Sequence, residues 1–102
     1  MEIVFSDGKT HDSLQTLEDA ALARVNRSLD LLEQYGNKLR YPHTSKVTPK
    51  IFELRIVGGV NVRIFFAFHR SQAVILHAFI KKSQKLPPRE IHLAQMAYNR
   101  LH

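Results

Sequence analysis

Cysteine is absent from the 102-residue chain, which excludes disulfides, thiolate metal sites and thiol nucleophiles and leaves stability to packing. Long apolar runs are absent too. The longest, around Ile64–Phe68 and Ala73–Ile80, fall far short of the roughly 20 residues a membrane-spanning helix needs, so no membrane role is expected. Met1 to Ser6 carries Glu2 and is followed by Asp7, unlike the basic start and long apolar run of a signal peptide. A cytoplasmic protein is the expectation. Repeats and low-complexity tracts are missing as well, and the length suits one domain over residues 1–102.

Acidic residues are scarce: 9 Asp and Glu stand against 15 Lys and Arg, for a net charge of +6 and an isoelectric point near 10.0. A surface of that sign attracts polyanions, nucleic acid first and an acidic protein partner second, but charge alone decides no function.

The apolar pattern predicts the order β-α-(α)-β-β-β-α. Glu2–Phe5 reads as an edge strand ended by the turn dipeptide Asp7-Gly8. Asp12 or Ser13 can then cap one long helix, with Leu14, Leu17, Ala21, Val25, Leu29 and Leu32 at helical spacing and Gly36 as its stop. Its charged residues, Glu18, Asp19, Arg24, Arg27, Asp30 and Glu33, read as a solvated face. Asn37 to Pro49 is a basic loop in which Lys38-Leu39-Arg40 can add a helical turn. Lys50–Ile56, Val60–Phe68 and Ala73–Ile80 read as a three-stranded meander, and Pro87-Pro88 opens a final helix with Ile91, Ala94, Ala97, Tyr98 and Leu101 on its apolar side.

Strand register decides which charges share a surface. A two-residue turn at Gly58-Gly59 would mix charged and apolar groups on both faces. A three-residue loop, Val57 to Gly59, separates them: Phe52, Leu54, Ile56, Val60, Val62, Ile64, Phe66 and Phe68 form a core face, and Glu53, Arg55, Asn61, Arg63 and Phe65 share the other, with Glu53 across from Arg63. A five-residue loop from His69 to Ala73 continues the core face with Val74, Leu76, Ala78 and Ile80, and puts His77 opposite Phe65 and Lys81 opposite Asn61. Arg55, Arg63, His77 and Lys81 then form a cationic patch on one sheet face. The plainer alternatives are an Arg63–Glu53 pair, a packing histidine and a solvated Lys81-Lys82-Lys85 strand end.

The strings Phe52-Glu53-Leu54-Arg55, Val62-Arg63-Ile64-Phe65-Phe66 and Leu76-His77-Ala78-Phe79-Ile80-Lys81-Lys82-Ser83-Gln84-Lys85, followed by Pro87 and Glu90-Ile91, resemble the phage-derived, HigB-like branch of the RelE/ParE toxin superfamily. Two departures stand out: Phe66 lies where that branch usually has tyrosine, and Thr48-Pro49-Lys50-Ile51 replaces a glycine turn. The resemblance implies an α+β, RelE-like fold with a small antiparallel sheet, an N-terminal helix or helical hairpin and a C-terminal helix. It implies a type II toxin that cleaves messenger RNA on the translating ribosome without metal or organic cofactor. Its partner would be a helix-turn-helix antitoxin, with which it would form a heterotetramer that binds operator DNA through the antitoxin.

For 2′-hydroxyl attack on the adjacent phosphate, the residues available are Arg55 and Arg63 to clamp phosphoryl oxygens, Lys81 to neutralise charge or donate to the leaving oxygen, and His77 as acid or base. Phe65 can stack a splayed base, although a strand phenylalanine more often serves packing, and Lys46, Lys50, Lys82, Lys85 and Arg89 can contact RNA backbone. The scattered acidic residues argue against a metal site. Two rivals remain at this point: a ParE-like inhibitor of DNA gyrase, and a catalytically degenerate module that only binds nucleic acid or antitoxin.

Overall fold

The computed structural model describes residues 1–102. It is an α+β fold in the order β1 (Glu2–Phe5), α1 (Gly8–Gln15), α2 (Asp19–Tyr35), a 3₁₀ turn (Gly36–Lys38), β2 (Thr44–Lys46), β3 (Phe52–Ile56), β4 (Val62–His69), β5 (Gln72–Ile80) and α3 (Pro88–Asn99). One five-stranded sheet runs β1-β5-β4-β3-β2. It is mixed rather than antiparallel, because β1 returns to the sheet parallel to β5.

The predicted long helix is two helices. Asp7, read as part of a turn, is the N-cap of α1, its carboxylate accepting from Thr10 N at 3.1 Å. The chain then breaks at Thr16, whose hydroxyl turns back to the Ser13 carbonyl at 2.6 Å, and Glu18 is extended before α2 starts. The periodic leucines conceal this break because Leu14 is buried in, and Leu17 packs against, the same core as Val25 and Leu32. Arg24 departs from the solvated face assigned to α2: its Nε is buried and its side chain lies over Gly58 and Gly59. Both glycines have positive φ, and a Cβ on Gly59 would stand 3.1 Å from the Arg24 guanidinium.

Both central hairpins differ from expectation in their turns. Ile56 pairs with Val62, so Arg55 faces Arg63 and Glu53 faces Phe65. The loop is longer than the predicted three residues by two. An even shift preserves the sides of the sheet while changing every partner, which is why the segregation of faces survives. The β4–β5 turn is two residues, Arg70 and Ser71, both with positive φ, rather than five. A bulge between Phe65 and Phe66 then restores the predicted pairing of Phe65 with His77. Lys81 N donates to Asn61 O at 2.8 Å, as the same pairing requires.

Before the bulge the sides are exchanged relative to prediction. Ala73 and Ile75 join the core under the N-terminal helices, while Val74 and Leu76 point to the opposite side. There they meet Ile51, Phe65, Ala67, Ala94 and Ala97 in a second core beneath α3. The face expected to be cationic is therefore mostly covered. Its charges emerge only at one corner, past the end of α3's footprint.

Phe65 is fully buried in that second core, packed on Phe79 with ring centroids 5.3 Å apart, and so cannot stack a base as proposed from sequence. Phe65→Ala should cost about 3–5 kcal/mol, read as a lower urea midpoint at unchanged slope. A loss below about 1 kcal/mol would show that the ring is not a core element.

Candidate phosphate-binding site

The corner is built on the ends of β3, β4 and β5. Arg55, Asn61, Arg63, Lys81, Lys82, Ser83 and Gln84 line a cavity of about 440 Å³ that contains no apolar residue. Strand alternation brings Arg55 and Arg63 to the same side as a directly opposed pair. Two guanidinium groups so placed repel, and Glu53 supplies the compensation. Its Oε1 accepts from Arg55 Nη1 at 3.0 Å and from the Ser45 hydroxyl at 2.8 Å, and its Oε2 lies 3.7 Å from Arg63 Nε.

The three members differ in exposure. Glu53 and Arg63 are buried, at 3% and 4%, whereas the Arg55 side chain is 28% exposed. Arg63 donates through Nη1 to the Val62 carbonyl at 3.2 Å, leaving its Nε and Glu53 Oε2 without hydrogen-bond partners. Burial above all, and next the neighbouring Arg55, lower the Arg63 pKa from the ordinary guanidinium value, with Glu53 opposing. The cation is thus less well solvated than in water, and an anion entering the cavity would relieve that deficit.

Of the residues assigned from sequence, Arg55, Arg63, Lys81 and Lys82 come together here. His77 does not. It shares the sheet side, but its Nε2 lies 2.7 Å from Glu90 Oε1, its ring stacks on Phe79 at 6.0 Å, and it lines a separate cavity with Leu76, Leu93 and Arg100. Phe79, opposite Arg63, stands on the strand between His77 and Lys81.

Lys46 and Lys50 are exposed around the β2–β3 turn, at the far end of β3 from Arg55. Lys85 is exposed in the loop after β5, and Arg89 in the first turn of α3. Sequence reasoning missed Ser45 because β2 is a three-residue edge strand inside a proline-bearing loop, too short for an alternation signal. It also missed Tyr41, which places its ring 5.6 Å from the Arg55 guanidinium. A tyrosine in a basic loop was the only available signal.

No grouping of three or more His, Cys, Asp or Glu suited to a metal ion is present, and no helix is long and apolar enough to cross a membrane. Residues 12–99 match the model of the family described as phage-derived protein Gp49-like (DUF891). No curated protein matches the chain. The match takes in α2, the whole of the cationic corner and α3, and the chain belongs to the phage-derived Gp49-like family, which is a RelE-like toxin family.

Proposed function

We propose that the protein is the toxin of a type II toxin–antitoxin pair, of the HigB-like kind, and cleaves messenger RNA on the translating ribosome by metal-independent attack of a ribose 2′-hydroxyl on the adjacent phosphodiester. The observation that carries this reading is the wholly polar corner with four cations, Arg55, Arg63, Lys81 and Lys82. Membership of a toxin family supplies the antitoxin as the expected partner.

Attack of the 2′ oxygen builds negative charge on the phosphoryl oxygens, and preorganised cations in a partly desolvated cavity stabilise that charge more than they stabilise the ground state. Arg55 spends one Nη1 hydrogen on Glu53 and keeps other N–H donors for phosphate oxygens. Arg63, held beneath it, strengthens the local field. Lys81 is placed at the strand end to neutralise the departing 5′ oxygen or to donate to it. His77, engaged with Glu90 outside the cavity, serves packing in this scheme. The 2′-hydroxyl proton passes to solvent water as the new P–O bond forms, the 5′ oxygen departs as its own P–O bond breaks, and the hydroxyl absent from Phe66 is not required, since that ring is buried in the core on the opposite side of the sheet.

This chemistry leaves a cyclic phosphate on one fragment and a 5′-hydroxyl on the other. Fragments recovered from translating ribosomes should accept a 5′-phosphate from a polynucleotide kinase without prior dephosphorylation; fragments already carrying 5′-phosphates would contradict the mechanism, and intact message with accumulating gyrase–DNA breaks would replace it. Arg55→Ala should slow cleavage by roughly 10²–10³-fold with the fold retained. Unchanged cleavage by that variant would remove Arg55 from the site. Arg55 is the better probe than Arg63, because its side chain is 28% exposed and its removal opens no void in the core, whereas Arg63 is buried.

A further inference from the structure

Tyr41 is the most exposed of the large hydrophobic residues, at 73%, yet it is held in place. The Arg55 guanidinium lies over its ring at 5.6 Å. Its loop is closed by His43 N donating to Arg40 O at 3.0 Å and by the Thr44 hydroxyl donating to Leu39 O at 2.9 Å. The loop is also tied to the sheet, because His43 O accepts from Arg55 N at 2.8 Å. Tyr41 and Arg55 are therefore fixed to each other through both backbone and side chain. With Arg55 against it, so much exposure leaves the rest of the ring open to solvent.

We propose that Tyr41 is a base-stacking platform for the nucleotide next to the phosphate bound by Arg55 and Arg63, taking the role that buried Phe65 cannot fill. The proposal rests on the RNA-cleaving reading and adds a substrate contact to it. A flat aromatic surface accepts any base with little sequence preference, and an arginine behind the ring adds its charge to the phosphate side of the same nucleotide. Tyr41 also lines a second groove, of about 600 Å³, whose lining includes the cations Arg40 and Lys46 and no acidic residue. A strand passing over Tyr41 away from the corner thus continues toward further cations instead of into acidic surface. Fixing the base on Tyr41 sets the distance between its ribose and the phosphate in the corner, which is the alignment that in-line attack requires.

The test uses the intact protein and ribosomes programmed with a short message whose riboses carry 2′-methoxy groups in the decoding site, so that binding is read without cleavage. Tyr41→Ala should weaken binding roughly tenfold to a hundredfold, and Tyr41→Phe, which keeps the ring, should recover it. An abasic ribose at one message position should reproduce the loss with the parent protein and cost nothing further with Tyr41→Ala. Independent, multiplying losses would show that Tyr41 does not act on that base and would overturn stacking. Binding by Tyr41→Ala equal to the parent, with Arg55→Ala defective, would overturn the platform and leave the RNA reading standing. If the parent does not distinguish programmed from message-free ribosomes, the RNA reading fails and the proposal with it.

Discussion

Arg55 and Arg63 face each other across β3 and β4, and the carboxylate of Glu53 is what makes that juxtaposition tolerable. Removing charges from water costs several kcal/mol each, and two adjacent cations add repulsion. Glu53 offsets both by standing two residues before Arg55 on the same side of its strand, where it reaches both guanidinium groups and the Ser45 hydroxyl. The same carboxylate fastens the short edge strand β2 to β3. The compensation is incomplete, since Arg63 Nε and Glu53 Oε2 lack hydrogen-bond partners. That residual deficit is a stability cost in the free protein and, in the proposed function, a source of affinity for the substrate phosphate.

The sheet positions this group by being covered on both sides. The N-terminal helices seal one core and α3 the other, so that only the end of the second side is left for solvent. Strands β3 and β4 hold Arg55 and Arg63, and Lys81 follows directly on the end of β5 with its N–H bonded to Asn61 O, as suits the proposed role of charge in fixed positions. The loop before β2 contributes Tyr41, and that loop is tied to β3 through the Arg55 amide.

Much of this was legible in the sequence, for identifiable reasons. Phe52, Leu54, Ile56, Val62, Ile64 and Phe66 alternate strictly, so their common side survives an error of two residues in the loop. Arg55 and Arg63 consequently belong together with the predicted three-residue loop and with the observed five-residue one, and Lys81 follows from the Phe65–His77 pairing. What alternation cannot encode is a bulge, because one extra residue looks like a longer turn elsewhere. The five-residue loop predicted at His69–Ala73 and the observed two-residue turn with a bulge both bring His77 opposite Phe65, but they send Val74 and Leu76 to opposite sides. The second core was invisible for that reason, and with it the burial of Phe65. Similarly, leucine spacing continued across Thr16 because both helices face one core, so periodicity reported the side that is buried rather than the continuity of the backbone.

In the proposed function a phosphodiester sits between Arg55, Arg63 and Lys81. The most direct measurement is a titration, followed by the side-chain Nε–Hε resonances of the arginines and the amides of β5, with a dinucleotide whose 2′-methoxy group prevents cleavage. The account predicts that Arg55 and Arg63 Nε and the Lys81 and Lys82 amides shift together, while the His77 ring and the amides of Lys46 and Lys50 stay in place. Shifts confined to the β2–β3 turn or to α3, with Arg55 and Arg63 unmoved, would contradict it.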